Sequence, residues 1–369
     1  MMYVLVNNNY HIDDFEKYRS PDDGQEMVLI RVPHMLNPEG AYLKNFKKVY
    51  TFTSSVNGIK SLFYYFRIKK NLAEVRKLIQ PVATDTLIFF TDYEILNQFI
   101  VKLFKDAGCK VVMLEDGMAT VAVGNMTSTG LSLKYAFQKW VLRTIYKFDF
   151  MDIIAEKNSL PLPVIKDEYI DAIGLSIKSP FQRNIPVYQL KAKEAPISGL
   201  KDDTVIFINQ DIYNLPNINF PDYLKYLSEI LETLSTNFKN VYFKFHPRET
   251  LETRTEIEKI TRRFTGVILV DDFKTPVERQ VEQLLPKYST SFYSNSLRSL
   301  YFKGIEPFFL YHLIPELKHS SVGQMMDGYL NYIGYNFVAN FAGVRAGYHC
   351  GLELAENGAT LSQLFAAKK

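Results

Sequence analysis

The fold is decided by one stretch of the chain, residues 86–117, which reads TLIFFTDYEILNQFIVKLFKDAGCKVVMLEDG. The apolar run Leu87–Phe90 is typical of a buried strand, and Val111–Leu114 is typical of the next one. Between them, apolar residues recur at the spacing of one helical face, and Thr91 or Asp92 is placed to cap that helix. The strand–helix–strand order predicts a parallel sheet with a right-handed crossover.

Two acidic residues and a glycine, Glu115-Asp116-Gly117, directly follow the second of these strands. In open α/β sheets, ligands bind at the carboxyl ends of the strands. Because side chains alternate along a strand, only one of the two carboxylates should face the binding crevice, and we predict that it is Asp116. The alternative is an ordinary solvated turn, since this composition is common in loops.

A second candidate site lies at a His-Pro step further along the chain. Val241–Phe245 alternates like a short strand, and Pro247 should end it because proline cannot donate to a strand ladder. His246 then lies at a carboxyl edge between Lys244 and Arg248, an arrangement suited to a phosphate. The alternative is that His246 contacts only backbone.

A third candidate is a cluster of hydroxyl and amide side chains, Ser294, Asn295 and Ser296, which precedes a short predicted helix. Hydroxyls and free backbone N–H groups at a helix start can bind an anion. Ordinary helix capping by Ser294 or Asn295 is the alternative explanation.

Length and composition indicate a two-domain globular protein. The chain has 369 residues, 47% hydrophobic and 22% charged, and a domain averages about 150 residues. A polar, Pro-containing stretch, residues 178–203, separates two α/β patterns. We therefore predict an α/β protein with Rossmann-like domains at 1–190 and 200–340, a helical tail at 341–369, and ligands in the cleft between the domains.

Charge and targeting features exclude several classes. The net charge of +3 is too mild to imply nucleic acid. No signal peptide or run of about 18 apolar residues is evident, and two distant cysteines favour a reducing, cytoplasmic compartment. Cationic amphipathic stretches at 67–77 and 134–147 suggest peripheral contact with the inner face of the cell membrane, although ordinary surface helices have the same composition.

The sequence also offers no pattern of metal ligands. It contains no Asp-x-Asp pair, and adjacent acidic pairs such as Asp13-Asp14 are typical of solvated turns. His312, His319 and His349 lack the spacing of metal ligands. We expect chemistry without a metal or other cofactor.

Taken together, the three motifs resemble those of the bacterial sialyltransferases. An acid-acid-Gly, a His-Pro about 130 residues later and a Ser-rich helix start about 50 residues beyond that are similar to the series in glycosyltransferase family 52, the capsule and lipooligosaccharide sialyltransferases. The likeness spans roughly residues 87–304. It implies a GT-B fold with the active site between two domains, inversion without a metal, CMP-sialic acid as donor and a galactose-terminated glycan as acceptor. A homodimer that exchanges helical segments is left open.

The resemblance also implies residue roles. Asp116 would be the base, with Glu115 and Gly117 on the acceptor side, and His246 would serve the leaving phosphate. Donor binding would fall to the remaining motif positions and their cationic neighbours: Lys244, Pro247, Arg248, Ser294, Asn295 and Ser296. Two alternatives stay open: Ser289–Ser291 fits the hydroxyl motif nearly as well, and Asp211 or Asp222 is a rival base.

The residue types suit this reaction independently of the resemblance. A leaving nucleoside monophosphate needs stabilisation of its negative charge, and an acceptor hydroxyl needs a base. Other functions stay open at this stage. They are a glycosyltransferase of the same fold with a different nucleotide-sugar donor, a non-catalytic nucleotide-sugar-binding protein of polysaccharide assembly, and a membrane-peripheral scaffold.

Overall fold

The chain folds into two compact units. The structure, a computed structural model, describes residues 1–19, 25–32, 41–53, 63–92, 94–116, 140, 143–144, 147–154, 162–176, 184–191, 196–215, 217–270, 272, 275–333, 343–345, 347–350 and 358–366. The first unit comprises Met1–Lys193 with Leu354–Lys369, and the second comprises Glu194–Glu353. The division falls inside the polar stretch at 178–203, and the predicted tail at 341–369 is shared between the two units rather than separate.

The first unit contains a parallel sheet and a hairpin. Its strands, in chain order, are β1 (Met2–Val6), β2 (Met27–Arg31), β3 (Lys48–Thr51), β4 (Thr86–Phe89), β5 (Lys110–Leu114), β6 (Met151–Ile154), β7 (Leu162–Ile165), β8 (Ala172–Leu175) and β9 (Val187–Gln189). Over the described ranges, seven of them form one sheet in the order β3-β2-β1-β4-β5-β8-β9, in which every pair is parallel. β6 and β7 pair antiparallel.

Three helices follow strands of this sheet: α1 (Asn9–Tyr18), α2 (Phe63–Leu78) and α3 (Ile95–Asp106). All five residues of β1 are buried, as expected for a parallel strand covered on both faces. Tyr3 and Leu5 join one apolar core with α3, while Val4 and Val6 join a second core with α1. The alternation of β1 therefore divides its side chains between the two faces.

The second unit contains the strands β10 (Lys201–Ile208), β11 (Asn240–Lys244), β12 (Val267–Leu269), β13 (Pro286–Ser291) and β14 (Glu306–Phe309). Its described strands form a parallel sheet in the order β12-β11-β10-β13-β14. The remaining helices are α4 (Phe220–Asn237), α5 (Leu251–Thr261), α6 (Val277–Leu284), α7 (Ser296–Phe302), α8 (Pro315–Lys318), α9 (Ser321–Ile333) and, in the first unit, α10 (Leu361–Ala366). The predicted α/β class with two parallel sheets is confirmed.

The strand orders also locate the natural binding edges. In the first sheet the order reverses between β1 and β4, and in the second it reverses between β10 and β13. Carboxyl ends of strands at such a switch point form the usual crevice of an open α/β sheet. Asp116 follows β5, the strand beside β4, and His246 follows β11, the strand beside β10. The predicted placement of an active site between the two units stays a prediction.

Local predictions succeed for strands and fail for some helix starts. The predicted strand–helix–strand unit is β4-α3-β5, with Thr86 paired to Lys110. However, α3 is capped by Glu94, so the prediction of Thr91 or Asp92 as the cap is wrong. Asp13-Asp14 lies within α1 rather than in a turn.

Membrane contact receives no further support from the fold. Among the helices of the described ranges, none combines the length and the apolar character needed to cross a bilayer. The first cationic stretch lies on α2, where Lys69 and Lys70 are exposed and the Arg76 guanidinium lies 5.0 Å from the centre of the Phe99 ring. The second stretch, 134–147, lies mostly outside the described residues, and membrane contact stays a prediction.

Candidate functional site

The first candidate site is centred on Asp116, and we call its members Tyr10, His11, Thr91 and Asp116 the acidic cluster. Oδ1 of Asp116 accepts hydrogen bonds from the Tyr10 hydroxyl at 2.6 Å and from His11 Nε2 at 2.9 Å. Oδ2 accepts one from the Thr91 hydroxyl at 2.5 Å. The Asp116 side chain is 11% exposed, so both carboxylate oxygens are engaged within a nearly buried cluster.

The imidazole of His11 is fixed on several sides. Its Nδ1 accepts the backbone N–H of Asn7 at 3.1 Å, and its ring stacks on Phe90 with centres 4.4 Å apart and planes 5° apart. A backbone N–H can only donate, so Nδ1 is the acceptor and the ring proton is on Nε2. Among the described residues, Asp116 is the acceptor placed to receive that proton.

Asn7 and Asn97 form buried hydrogen bonds with the backbone around the acidic cluster. The Asn97 amide donates to Asn7 Oδ1 at 2.7 Å and to the Thr91 carbonyl at 2.9 Å. The Asn7 amide donates to the Val32 carbonyl at 2.8 Å. These buried bonds join the segments that follow β1, β2 and β4, and they fix the backbone from which Thr91 projects.

Burial, the adjacent His11 ring and hydrogen bonding together set the charge state of Asp116. Burial alone would raise the pKa of this carboxyl. The adjacent His11 ring and the three hydrogen bonds outweigh burial, and the pKa of Asp116 lies well below its ordinary value. The carboxylate is therefore ionised throughout the neutral range.

The other two residues of the acidic motif differ from Asp116. Glu115 is buried, and its Oε2 accepts the backbone N–H of Ser176 at 2.8 Å and the Ser176 hydroxyl at 2.6 Å. The two neighbouring carboxylates thus contact different parts of the first unit, as alternation along a strand predicts. Gly117 lies outside the described residues.

The second candidate site is centred on His246, and we call Asn209, Asp211, His246, Arg248 and Glu249 the histidine cluster. His246 Nδ1 lies 3.4 Å from Asp211 Oδ1 and accepts the backbone N–H of Arg248 at 3.4 Å. The Arg248 guanidinium donates to the same Asp211 oxygen at 3.1 Å. Nδ1 of His246 thus has the Arg248 N–H and the Asp211 carboxylate at the same distance.

Glu249 supports the turn that presents His246. Its Oε2 accepts the His246 backbone N–H at 3.2 Å, and its Oε1 accepts the Asn209 amide at 2.5 Å. Asn209 in turn accepts the hydroxyl of the fully buried Tyr223 at 2.8 Å. A continuous series of hydrogen bonds therefore runs from the core of the second unit to the His-Pro turn.

Burial shifts His246 and Glu249, two of the ionisable groups of this turn, toward their neutral forms. Burial lowers the pKa of His246, with the Asp211 carboxylate opposing this change and the Arg248 charge adding to it. Burial raises the pKa of Glu249 to about 7, because its hydrogen bonds only partly compensate. Near neutral pH the His246 imidazole is mainly uncharged.

The Lys244 side chain is buried and donates to backbone carbonyls, which the sequence analysis does not predict. It is 4% exposed, and its ammonium donates to the backbone carbonyls of Asp272 at 3.2 Å and Thr275 at 2.8 Å. Burial lowers its pKa to about 8. These contacts give Lys244 a structural role, and its predicted contact with a donor stays a prediction.

The two alternative hydroxyl motifs lie in different surroundings, and the choice between them stays a prediction. Ser289–Ser291 lies within β13 and is buried, and Ser291 donates to the Ile208 carbonyl at 2.7 Å. Ser294 instead follows the strand, and its hydroxyl accepts the backbone N–H of Ser296, the first residue of α7, at 3.3 Å. Asn295 occupies the cap position of this helix but makes no side-chain cap bond.

The two rival bases have unequal positions. Asp222 is in the first turn of α4, where it accepts the Asn219 amide at 2.6 Å and pairs with Lys225, so its contacts are those of a helix cap. Asp211 belongs to the histidine cluster. The structure therefore brings Asp211, and not Asp222, beside His246.

Sequence reasoning missed Tyr10, His11, Asn209 and Glu249. A local signal for α1 did exist, because Asn8 can cap a helix whose Ile12 and Phe15 lie on one face, and both are buried. Nothing local could pair His11 with Asp116, since 105 residues separate them. In the ranges that the structure describes, no group of three His, Cys, Asp or Glu side chains could hold a metal ion.

Comparisons with known proteins decide the family. The sequence model of the alpha-2,8-polysialyltransferase family matches residues 3–307, most of the chain. This chain belongs to the alpha-2,8-polysialyltransferase family. The match covers both clusters of this polysialyltransferase-family protein, from Tyr10 to Glu249. The sialyltransferase character implied by the sequence motifs is confirmed, whereas the assignment to glycosyltransferase family 52 stays a prediction.

Solved structures include distant likenesses to the polysialyltransferase-family chain. The GT-B domain of a sialyltransferase from Photobacterium damselae is 11% identical, with 88% of this chain and 96% of that chain covered and a TM-score of 0.47. MurG of Acinetobacter baumannii is 9% identical, with 92% and 86% covered and a TM-score of 0.46. A comparison with curated protein sequences finds no match.

Proposed function

We propose that this protein is an inverting sialyltransferase that transfers sialic acid from CMP-sialic acid to a capsular or lipooligosaccharide glycan without a metal ion. The observation that carries the proposal is the family match over residues 3–307, which includes Asp116 and His246. The family description also supports an acceptor that itself ends in sialic acid, with its 8-hydroxyl as the nucleophile. A galactose-terminated acceptor, predicted from the sequence motifs, is the alternative.

At the anomeric carbon of sialic acid, the proposed reaction forms one bond and breaks another. The acceptor oxygen bonds to the anomeric carbon of sialic acid, and the bond from that carbon to the phosphate oxygen breaks, leaving its electron pair on CMP. The acceptor hydroxyl loses its proton to a base. The protein must therefore stabilise new negative charge on a phosphate and accept one proton.

The histidine cluster suits the leaving phosphate. For this role we assign the ring proton of His246 to Nε2, with the Arg248 backbone N–H at Nδ1, so that Nε2 donates a hydrogen bond to a phosphate oxygen. The Arg248 side chain is 55% exposed, so its charge is accessible to the donor. Ser294 and Ser296 would add donors to the phosphate at the start of α7.

The acidic cluster suits the proton acceptor. Its low pKa makes Asp116 a weak base, but the acceptor hydroxyl becomes strongly acidic as its oxygen bonds to the anomeric carbon. A carboxylate that is always ionised can take that proton late in the reaction. Asp211 is the rival, although it is already paired with Arg248.

The direct test is transfer by the purified full chain. CMP-sialic acid is incubated with fluorescent lactosides ending in galactose, in one sialic acid or in an α2,8-linked oligosialyl chain, with and without EDTA. We expect extension of the sialylated acceptors, equal rates with EDTA, and product masses that rise by whole sialic acid units. Extension of the galactosides alone would support the alternative acceptor.

Thermal-shift measurements test the donor separately, because a ligand that binds only the folded protein raises its melting temperature. We expect a larger increase with CMP than with UDP or GDP. Stabilisation by UDP or GDP but not by CMP would indicate a different nucleotide-sugar donor. Stabilisation by CMP without transfer to any acceptor and without donor hydrolysis would instead indicate a non-catalytic binding protein.

A further inference from the structure

We propose that Tyr10 and His11 are positioning residues for the transfer reaction, holding the Asp116 carboxylate in one orientation at the carboxyl edge of the first sheet. The inference rests on the proposed function, since it concerns the proposed base. It assigns two residues that do not belong to any of the three sequence motifs.

The hydrogen bonds to Asp116 come from three directions that together fix its carboxylate. The Tyr10 hydroxyl and His11 Nε2 converge on Oδ1 of Asp116, while Thr91 binds Oδ2. Rotation of the carboxylate about its Cβ–Cγ bond would disrupt these bonds together. A base must hold its oxygen within hydrogen-bond reach of the proton that it takes, so a fixed orientation matters more here than at an ordinary surface carboxylate.

The His11 donor is itself held in place. His11 is fully buried, stacks on Phe90 and has Nδ1 occupied by the Asn7 N–H, so its proton is directed toward Asp116. The Asn8 amide nitrogen, 3.2 Å from Nε2, belongs to the residue that caps α1 by accepting the His11 backbone N–H. The start of α1 thus sets the position of the His11 ring.

The second unit contains a similar arrangement that the proposed chemistry does not use. Tyr311 and His312, also consecutive, both contact Oδ1 of Asp327, each at 2.6 Å. In both pairs the Tyr and His rings meet edge to face, with centres 4.7 Å and 4.6 Å apart. Asp327 is 33% exposed, whereas Asp116 is 11% exposed. This pair provides a matched control.

Within the described residues, three elements contribute the contacts of Asp116 named above. α1 contributes Tyr10 and His11, and the segment after β4 contributes the uncharged hydroxyl of Thr91. In the chain itself the neighbouring charge is Glu115, which is bonded to Ser176. Removal of the Tyr10 hydroxyl takes away a donor that favours the ionised form, so the pKa of Asp116 should rise.

The test compares Tyr10→Phe with Tyr311→Phe in the full chain. Each variant loses one hydroxyl that donates to an aspartate and keeps its ring. We expect Tyr10→Phe to lower kcat on the order of tenfold, leave the KM for CMP-sialic acid unchanged, and move the acidic limb of the pH–rate profile to higher pH. Tyr311→Phe should change none of these three quantities.

A second measurement does not depend on activity. With ¹³C-labelled aspartate, and Asp116→Asn for assignment, the titration of Asp116 is followed by NMR in the wild type and both variants. Tyr10→Phe should raise its midpoint and Tyr311→Phe should not. In ¹⁵N spectra, His11 should show the tautomer protonated on Nε2, with His11→Gln used for assignment.

The outcomes separate this inference from the proposed function. Absence of any transfer by the wild type contradicts the proposed function, and the titration then decides whether Tyr10 controls Asp116. If transfer occurs but Tyr10→Phe and Tyr311→Phe have the same pH profile, the positioning role is wrong. An unchanged Asp116 midpoint in Tyr10→Phe, or His11 protonated on Nδ1, also overturns it.

Discussion

The acidic cluster and the histidine cluster both lie at the carboxyl ends of parallel strands, yet their ionisable groups are shifted in opposite directions. In the acidic cluster, the adjacent His11 ring and the hydrogen bonds outweigh burial, and the pKa of Asp116 lies far below its ordinary value. In the histidine cluster, burial lowers the pKa of His246 against the opposing Asp211 carboxylate, and it raises the pKa of Glu249 to about 7 against the hydrogen bonds of that residue. The surroundings of Asp116 favour its charged form, whereas those of His246 and Glu249 favour their neutral forms.

The difference shows how similar strand ends can serve different chemistry. Three side-chain donors contact the Asp116 carboxylate, whereas one side-chain and one backbone donor contact Glu249. Burial, neighbouring charges and hydrogen-bond donors together decide whether a carboxylate is ionised. An ionised Asp116 suits proton acceptance, and the exposed Arg248 charge suits a phosphate. Variants in each cluster test one side of this contrast.

The largest effect is expected at His246. His246→Ala removes the proposed donor to the leaving phosphate, and we expect turnover to fall on the order of a thousandfold, as for the loss of an electrostatic stabiliser of the transition state. His312→Ala is the control, because His312 also contacts an aspartate but has no part in the proposed reaction. Circular dichroism should show both variants folded. Near-normal turnover of His246→Ala would contradict its assigned role.

The next largest fall in turnover is expected when the proposed base is replaced. Asp116→Asn removes the proton acceptor while keeping its size, and turnover should fall on the order of a hundredfold with the CMP affinity unchanged. The turnover of Asp222→Asn, which changes an exposed residue in the first turn of α4, should stay close to that of the wild type. If Asp116→Asn is active and Asp211→Asn is not, the base lies in the histidine cluster and the contrast between the two clusters is reversed.

The smallest effect is expected on the pH dependence of the unfolding free energy, through Glu249. Because its pKa is raised to about 7 in the folded protein, Glu249 favours folding at low pH, and this contribution is lost as the pH rises through that value. Glu249→Gln lacks this dependence. The unfolding free energy of the wild type, relative to Glu249→Gln, should fall on the order of 1–3 kcal/mol between about pH 5 and about pH 8.5.

Urea unfolding at several pH values measures this difference. Glu229→Gln, at an exposed position on α4, is the control and should run parallel to the wild type. If the difference between wild type and Glu249→Gln stays constant over this range, burial does not dominate at Glu249. The opposition between the two clusters would then be confined to Asp116 and His246.

Much of the fold could be predicted from short-range patterns. Apolar runs predict β4, β5 and β11, and the helical spacing between β4 and β5 predicts α3. The same patterns place Asp116 and His246 just after strands, and Pro247 marks a strand end locally. The sequence analysis does not predict α1, although Asn8 is the cap of that helix.

The partners of these residues could not be predicted. Thr91 was interpreted as a helix cap, but its hydroxyl binds Asp116, and Lys244 was interpreted as a phosphate ligand, but its ammonium binds buried carbonyls. Each partner lies at least 25 residues away in the chain. Such pairings follow from strand order and register, which local composition does not encode.

The sequence by itself determined which residues end strands, and therefore which side chains reach the two sheet edges. The tertiary structure decided their ionisation, because a pKa depends on burial and on donors contributed by distant segments. His11, Thr91 and Tyr10 keep Asp116 ionised near neutral pH, and burial keeps His246 mainly uncharged there. The reactive positions are local in the sequence, whereas their chemistry is a property of the folded units.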